Sequence, residues 1–500
     1  MRPMAGRSMP MGLKPTPSMP SRTITTTTSA ACPATGPAVT VFRRCGPRCG
    51  RRAMRPRPAR AAITTAVTRT EGEPSMRRRD FTLGMAASLP VLAGCAPALV
   101  PERSGSGMQA SLFIPGYHPE KLRPVGEPPD SRRRAKEGPE TMLTRISPRG
   151  EVRQAVFPVI AHDVAISPDG RAGFFGRMNL GGGEGAAHHV TFDPQTLEMI
   201  AVGRSLGPGW RGGGHGLFLP DGTVLCAERA PERPYAGRPS DHYGRLSRRD
   251  PMTLRVLDTL PTHGIDPHEL RLSDDGRSVI VANYGSVPRR RGGLWQVVEP
   301  AVTVVDLDSG RLLRRLAVPD PHAEVRHLAL GRGGRIFAIR ARQGLPGDNA
   351  IWLQAIGDVA DALPVDPNPT ASYLPMAPVL LDRAGGPVRV LARGEPQAHL
   401  LEGLSVEYDP LHNEFLAIFP SSHRLMVFSG DDGALVHSID MRSRGMVRPS
   451  GLALLPDSDR YVIAGYWQGL IVAERGSHRV VHRLTGSAPV VGGHSHMTAA

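Results

Sequence analysis

Short segments in which apolar and polar residues alternate recur along the chain, with tight turns between them. In one of them Leu270 and Leu272 alternate with polar neighbours, Asp275 and Gly276 follow, and an apolar run continues over residues 278–283. Alternation with a period of two predicts a half-buried strand, and Asp-Gly is typical of a hairpin turn. This segment is therefore predicted to be a β-hairpin.

The hairpin pattern repeats, and a histidine begins its clearest copies. His162, His215 and His268 are each 53 residues apart, and each precedes an alternating segment that runs into Asp-Gly. Weaker copies begin near residues 326, 402 and 450, and a terminal copy begins near residue 494. A period of this length indicates a repeat architecture in which equivalent residues face one place.

A second hairpin with a carboxylate in its turn follows in most repeats, for example at Asp193, Asp250 and Asp306. Two hairpins make a four-stranded blade, and seven units predict an all-β, seven-bladed β-propeller over residues 141–500. The wider spacing after residue 326 predicts a long loop or insertion at 343–380, with room for an eighth blade. Residues 355–363 form the only candidate helix.

The location of the charge changes the interpretation of the composition. The chain has a net charge of +15, which by itself favours an anionic partner such as nucleic acid. Sixteen of the 61 basic residues but only three of the 46 acidic residues precede Cys95, so the rest of the chain has a net charge of only +2. We therefore expect no nucleic-acid binding.

The first 140 residues differ from the remainder. Residues 1–75 are rich in Pro, Thr, Arg and Ala without apolar periodicity, so they are predicted to be disordered. Met76 resembles the true translation start, because a new pattern begins there. Residues 96–140, rich in Pro and Arg, are predicted to be a tether.

Residues 76–95 have the order of an export signal. A basic segment with Arg78, Arg79 and Phe81 precedes a short apolar stretch at 83–92, and Leu-Ala-Gly-Cys ends at Cys95. This order is typical of a twin-arginine (Tat) signal peptide that ends in a lipobox. The apolar stretch is too short for a membrane-spanning helix. We expect lipidation of Cys95 and a periplasmic, membrane-anchored protein.

The first strand of each propeller blade lines a central channel, so the residue that begins it is expected to face the channel. The predicted channel or ligand-binding residues are His162, His215, His268, Arg326, Glu402, Ser450 and His494. Neutral imidazole is a good ligand for copper, zinc, iron and nickel. His162, His215 and His268 are therefore the candidate metal ligands, and iron and copper are the candidate metals.

Three interpretations of these histidines remain open. They hold a metal or a haem; or the channel binds a small anionic or metal-chelate ligand, which Arg211 and Arg326 favour; or they only hydrogen-bond neighbouring blades. Opposite residues of a seven-bladed channel could lie too far apart to share one ion. The pairs His188 with His189 and His494 with His496 are more typical of a solvated surface than of a metal site. Ser167, Ser273 and Ser421 do not stand in a Gly-x-Ser-x-Gly motif, and no catalytic residue is predicted.

The Tat lipoprotein start and the segments 214–218, 266–270, 281–285 and 325–329 together resemble an exported family, domain of unknown function 1513. The resemblance covers about residues 110–500 and implies a periplasmic seven-bladed propeller. Members of the family tend to be encoded near imelysin-like iron-uptake lipoproteins and dihaem-peroxidase-like proteins. The resemblance therefore implies iron-uptake lipoproteins as partners, and it supplies no catalytic residues.

Together these observations favour a membrane-anchored periplasmic module that binds a metal, a metal chelate or a partner protein in iron acquisition. One alternative is a periplasmic redox enzyme with a metal or haem held by the channel histidines. Another is a protein-interaction scaffold for neighbouring lipoproteins.

Overall fold

The computed structural model of the chain describes residues 109–116, 141–177, 188–288, 295–318, 323–343, 373–465, 469–484 and 496–500. All of these lie in one unit, Pro90–Ala500. The signal peptide, residues 1–75, the candidate helix at 355–363 and His494 lie outside the described residues.

Seven antiparallel sheets follow one another along the chain, and we number them as blades. Blade 1 contains β1 (Leu112–Gly116), β2 (Thr141–Ile146) and β3 (Val152–Phe157). Blade 2 contains β4 (Ala165–Ile166), β5 (Gly173–Gly176), β6 (His189–Phe192) and β7 (Met199–Gly203). Blade 3 contains β8 (Arg211–Phe218), β9 (Val224–Arg229), β10 (Tyr243–Arg249) and β11 (Val256–Ile265).

Blade 4 contains β12 (Pro267–Leu272), β13 (Ser278–Asn283), β16 (Ala301–Asp306) and β17 (Leu312–Ala317), with a side hairpin of β14 (Ser286–Pro288) and β15 (Trp295–Val297). Blade 5 contains β18 (Glu324–Leu330), β19 (Arg335–Gln343), β20 (Tyr373–Leu374), β21 (Val379–Asp382) and β22 (Arg389–Val390). Blade 6 contains β23 (Val406–Asp409), β24 (Glu414–Phe419), β25 (Arg424–Ser429) and β26 (Leu435–Asp440). Blade 7 contains β27 (Pro449–Leu454), β28 (Arg460–Gly465), β29 (Leu470–Glu474) and β30 (Val480–Leu484).

The last strand of the chain closes the ring. β31 (Thr498–Ala499) pairs with β1, so the two ends of the propeller share blade 1 and β31 is its innermost strand. The first strands of successive blades contact one another from β4 to β31. Two hydrogen bonds join β31 to blade 2: the His496 N–H donates to the His162 carbonyl at 2.9 Å, and the Thr498 hydroxyl donates to the Val164 carbonyl at 2.6 Å.

The hydrophobic core consists of seven separate clusters, each between two adjacent blades. Phe157, Phe175 and Phe192 pack between blades 1 and 2, with ring centroids 4.8–5.4 Å apart. Phe337, Phe415 and Phe428 pack in the same way between blades 5 and 6. Because apolar burial is spread around the circumference, the channel itself is free to hold polar side chains.

The predicted seven-bladed, all-β architecture is confirmed. The Asp-Gly turns join first and second strands, and Gly170, Gly222 and Gly276 have φ of 70°, 82° and 67°, which favours glycine. Asp193 and Asp250 cap the predicted second hairpins, because their carboxylates accept backbone N–H groups of the turn. Within the described ranges the helices are short 3₁₀ turns: Pro239–His242, Arg332–Gly334, Gln397–His399, Pro420–Ser422 and Met441–Arg444.

The prediction that the propeller begins at residue 141 is wrong. Residues 112–116, assigned to a tether from the sequence, form β1 and are buried between β2 and β31. The long interval after residue 326 lies within blade 5, between its second and third strands. No helix in the described ranges is long and apolar enough to cross a membrane.

Candidate metal centre

Five blades place a histidine on the channel, and local irregularities of the first strands aim three of these side chains inward. The pairing of first and second strands shifts register across His215 and His268, and immediately before His327. A β-bulge of this kind re-aims a side chain. His162 precedes β4 and His496 precedes β31, so these two take the equivalent positions in blades 2 and 1.

The glycines before His215 allow β8 to approach its neighbours closely. A Cβ atom at Gly213 would lie 2.5 Å from the Ala227 Cβ, and one at Gly176 would lie 2.9 Å from the backbone of Gly214. Gly214 has a φ of +99°, and a Cβ there would lie 3.1 Å from Cε1 of His268. The glycine run therefore serves close packing around the channel.

We call His162, His215, His268, His327 and His496 the hub cluster. The His162 ring packs against the other four, with its centroid 5.1 Å from His215, 5.1 Å from His268, 5.5 Å from His327 and 4.7 Å from His496. Adjacent rings among those four are 4.4–5.0 Å apart. All five residues are buried.

Four members of the hub cluster have ligand atoms close enough to share an ion. One nitrogen from each of His162, His215, His327 and His496 lies within 4.8 Å of the others. Metal–nitrogen bonds of about 2.0–2.1 Å place ligand nitrogens about 3.3 Å apart in a tetrahedron and about 4 Å apart across a square plane. Small rotations of the imidazoles would bring nitrogens that lie within 4.8 Å of one another to these separations. The hub is therefore not too wide for one metal ion.

A fixed hydrogen bond orients four of the five rings through Nδ1. The Nδ1 of His215 lies 2.9 Å from Asp163 Oδ2, and that of His327 lies 3.2 Å from Glu269 Oε2. The Nδ1 of His268 lies 2.6 Å from the Gly213 carbonyl. Because these oxygens accept hydrogen bonds, each Nδ1 carries the proton and each Nε2 bears a lone pair.

His496 is oriented by a serine. Its Nδ1 lies 3.0 Å from the Ser405 hydroxyl, which itself donates to the Ser450 carbonyl at 2.7 Å. The hydroxyl proton is thus committed, and Ser405 accepts from Nδ1. In blades 6 and 7, which lack a channel histidine, serines support the imidazole contributed by blade 1.

Two buried imidazole nitrogens of the hub cluster have no hydrogen-bond partner among the described residues: Nε2 of His215 and Nε2 of His268. Burial, reinforced by the neighbouring imidazoles, holds the pKa of His268 and of His327 well below the usual value. Neutral imidazoles with inward lone pairs are the form that coordinates a metal ion.

Carboxylates lie on the side of the hub cluster toward the C-terminal ends of the first strands. We call Asp163, Glu269 and Glu407 the carboxylate layer. Arg271 lies among them, with Nη2 2.6 Å from Glu269 and 3.6 Å from Glu407. Burial raises the pKa of Glu269 and of Glu407, while Arg271 opposes that shift. Counted formally, with all three carboxyl groups ionised, the layer has two more negative charges than positive charges beside the imidazoles.

Buried ion pairs lie on the opposite side, toward the N-terminal ends of the first strands. We call them the ion-pair layer: Arg229 with Asp266 at 3.0 Å, Arg326 with Glu324 at 2.7 Å, and Arg448 with Glu402 at 3.0 Å. Tyr284 connects this layer to the hub cluster. The guanidinium carbons of Arg229 and Arg326 lie 4.8 and 5.3 Å from its ring centroid, and the His268 ring lies 4.6 Å away.

The structure corrects part of the predicted channel set. His162, His215 and His268 lie together in the hub cluster, but His268, a predicted metal ligand, is not one of the four residues within 4.8 Å. Arg326 is the bulged residue of β18, so its neighbour His327 joins the cluster instead. Glu402 pairs with Arg448 in the ion-pair layer. Ser450 is buried and contributes its carbonyl to Ser405. His496 takes the position predicted for His494.

The predicted solvation of the histidine pairs is wrong for two members. His496 is buried in the hub cluster. His189 is fully buried, with Nε2 3.0 Å from Glu228, which also accepts from Arg249 at 2.6 Å. The contact between His189 and Glu228 joins blades 2 and 3. Cys226 is a buried free thiol, as a small core residue would be.

Fold and site together define a seven-bladed β-propeller with a histidine cluster at its hub. The chain belongs to the family described as "Protein of unknown function (DUF1513)", whose model matches residues 157–449. The match extends from the end of blade 1 to the start of blade 7. No curated protein matches the sequence.

Solved structures with a similar fold include three proteins. Hydrazine synthase of Kuenenia stuttgartiensis is 16% identical, with a TM-score of 0.43, covering 69% of this chain and 90% of that chain. The periplasmic gluconolactonase PpgL of Pseudomonas aeruginosa is 14% identical, with a TM-score of 0.48, covering 78% and 98%. The dihydro-heme d1 dehydrogenase NirN is 12% identical, with a TM-score of 0.43, covering 78% and 77%.

Proposed function

We propose that this propeller binds one first-row transition metal ion on imidazole ligands at its hub. The observation that carries the proposal is the convergence of four buried imidazoles, His162, His215, His327 and His496, with one nitrogen each inside a 4.8 Å limit. Imidazole ligands suit copper, zinc, iron and nickel. The hydrogen bonds at Nδ1 hold the rings in fixed orientations, as the outer hydrogen bonds of metal-bound histidines usually do.

A purely structural role accounts less well for these side chains. Buried polar groups are nearly always hydrogen-bonded, and although His189 also leaves Nδ1 without a partner among the described residues, the hub brings several imidazole nitrogens together in one place. Nε2 of His215 and of His268 is buried without such a partner among the described residues. A metal ion would use this unsatisfied lone pair of His215.

Charge favours a divalent ion over a neutral or anionic ligand. Four neutral imidazoles carry no compensating charge, and the carboxylate layer places three carboxyl groups and only one guanidinium beside them. Ring centroids no more than 5.5 Å apart leave no room for a porphyrin between the imidazoles. The hub therefore suits a bare ion better than haem, with copper and iron as the first candidates.

The setting we propose follows from the N-terminal sequence. Arg78, Arg79 and Phe81 would direct the folded protein through the Tat pathway, and Cys95 would carry the lipid anchor in the periplasm. Iron-uptake lipoproteins are the proposed partners. A Cys95→Ser variant is expected to leave the membrane fraction while keeping its metal.

A redox role is the second candidate function. His268 favours it, because its ring lies against three of the proposed ligands without belonging to the set within 4.8 Å, and Tyr284 lies against His268. Such groups could hydrogen-bond a molecule on the metal. Turnover with a peroxide or a quinone, lost in a His268→Ala variant that retains metal, would support a redox enzyme over a binding module.

Elemental analysis tests the proposal. Protein purified from membranes is expected to contain one transition metal per chain, or to take up one equivalent of Cu²⁺, Zn²⁺ or Co²⁺ in equilibrium dialysis. A His162→Ala/His215→Ala variant with unchanged circular dichroism should bind none. Wild-type protein that stays metal-free under both conditions would contradict the proposal, and co-purification with a lipoprotein partner would then favour a scaffold.

A further inference from the structure

The two sides of the hub cluster differ in access to solvent. In the ion-pair layer the charged side chains are at most 11% exposed, and Glu402 is 2% exposed. In the carboxylate layer Glu407 is 29% exposed and its companion Arg271 is 33% exposed. Among the described residues, water therefore reaches charged groups next to the imidazoles from the carboxylate side.

The two sides also differ in charge. Each arginine of the ion-pair layer has its own carboxylate within about the length of a hydrogen bond, so that layer is electrically balanced. The carboxylate layer has two negative charges in excess. A concave site lined by one sign of charge raises the local concentration of the opposite ion and accelerates its association.

The carboxylate layer leads directly to the hub imidazoles. Asp163 bonds Nδ1 of His215, and Glu269 bonds Nδ1 of His327. Glu407 is the outer member, joined to Glu269 through Arg271, whose Nε also donates to the Leu328 carbonyl at 2.9 Å. At the inner end lies the buried Nε2 of His215, which lacks a partner among the described residues.

We propose that the metal ion reaches the hub from the carboxylate side, with Glu407 as its first contact. Until the ion arrives, the Arg271 guanidinium occupies the position between Glu269 and Glu407. The proposal rests on the metal-binding function proposed above and adds a route to it. Arg271 neutralises part of the layer while no ion is present, and it swings aside as a divalent ion passes to the imidazoles.

Association kinetics test the route. Co²⁺ serves as the probe, because its coordination by imidazole is followed by visible absorption in a stopped-flow instrument. Glu407→Gln removes one attractive charge and is expected to slow association about threefold to tenfold at low ionic strength. Arg271→Gln removes the resident cation and should accelerate association by a similar factor.

A matched variant on the ion-pair side of the hub controls for the change in net charge. Glu232 is 42% exposed and pairs with Arg211 beyond the ion-pair layer, so Glu232→Gln makes the same change in charge at a similar exposure. Its association rate should equal that of the wild type. Glu407 and Glu232 touch no hub imidazole, and the dissociation rate is measured alongside so that an effect on the bound ion is separated from an effect on its approach.

Each outcome decides a different statement. Wild-type protein that binds no Co²⁺ at equilibrium overturns the metal-binding proposal and this route with it. Binding with equal rates for wild type and Glu407→Gln, or equal slowing by Glu232→Gln, overturns the route alone. Thermal melts of all three variants, each altering a partly exposed side chain, show that the proteins compared are folded.

Discussion

Two clusters of histidines and carboxylates lie among the described residues, and they differ in whether their ring nitrogens converge. In the hub cluster, Asp163 and Glu269 bond Nδ1 and leave Nε2 facing the other imidazoles. We call His412, His437 and His478 the outer histidine cluster, which lies between blades 6 and 7 with Asp409 and Glu414. There His478 directs Nε2 toward Glu414 at 3.5 Å and Nδ1 toward the Tyr461 hydroxyl at 3.4 Å.

The two clusters also differ in the exposure of their histidines and in how closely their potential ligand atoms approach one another. His437 is exposed, His412 is 36% exposed at its side chain, and His412 gives Nδ1 to Asp409 at 2.9 Å. Among the described residues, only the hub brings three or more potential ligands within 4.8 Å. Histidines and carboxylates close together therefore do not by themselves make a metal site. What distinguishes the hub is that four buried imidazoles bring one nitrogen each within 4.8 Å, in addition to the oxygen acceptors that orient the rings.

The largest effect is expected from removing hub ligands. A His215→Ala/His327→Ala variant should lose metal affinity by more than about 100-fold, beyond the range typical of second-shell changes. A His412→Ala/His437→Ala variant serves as the matched control and should keep the wild-type affinity in equilibrium dialysis. Equal losses in both variants would mean that the two clusters do not differ as described.

Changing a carboxylate that orients one of the proposed ligands should have the next largest effect. Asp163→Asn keeps the shape of the side chain that orients His215 but removes its charge, so metal affinity is expected to fall about 10-fold to 100-fold. Glu414→Gln, the corresponding change in the outer histidine cluster, should leave affinity unchanged. Isothermal titration with Zn²⁺ measures both, and an unaltered Asp163→Asn affinity would show that the anchor has no role.

The outer histidine cluster should instead affect stability against acid. Burial, reinforced by His437, lowers the pKa of His478 to about 4 from the usual 6.5. The unfolded chain then binds the proton more readily, so stability present near neutral pH is lost as pH falls from about 6.5 toward 4. The loss from this one group is about 2 kcal/mol between pH 7 and pH 5.

Denaturant titrations of the metal-free protein at both pH values measure that loss. A His478→Gln variant has no titrating imidazole at this position, so its free energy of unfolding should depend less on pH. Metal affinity at pH 7 should be the same in variant and wild type. An unchanged pH dependence in the variant would assign the acid sensitivity to other groups.

The smallest effect is expected at Ser405. Ser405→Ala removes a neutral acceptor from Nδ1 of His496, and a neutral hydrogen bond contributes only about 0.5–1.5 kcal/mol. Metal affinity should therefore fall about threefold to tenfold, less than in Asp163→Asn. A loss larger than that of Asp163→Asn, measured in the same titration, would contradict the view that charged anchors matter more than neutral ones.

Much of the fold could be predicted because the repeat leaves a local signal. The 53-residue spacing of His162, His215 and His268 marks equivalent positions, and the Asp-Gly turns mark the strands around them. Residues 110–115 were predicted to be strand-like but were assigned to the tether, because β1 is an isolated strand in sequence. Its partners β2 and β31 lie far along the chain, and β31 is only two residues long, so no periodicity identifies either pairing.

His162, His215 and His268 were predictable because the 53-residue spacing marks them, although the register shifts across His215 and His268. Arg326 and His268 each stand two residues before a leucine, so alternation alone makes them equivalent. A bulge after Val325 shifts that register and brings in His327. The anchors Asp163, Glu269 and Ser405 were missed for a different reason. Each contacts a histidine of another blade, a relation that depends on how blades pack around the channel.

The most direct test of the central claim is anomalous scattering from crystals of the wild-type protein soaked with Co²⁺ and measured at the cobalt edge. The account predicts one strong anomalous peak per chain, on the channel axis and within bonding distance of imidazole nitrogens of His162, His215, His327 and His496. A peak at His437 and His478 with none at the hub, or no peak in a soak that saturates binding in solution, would contradict it.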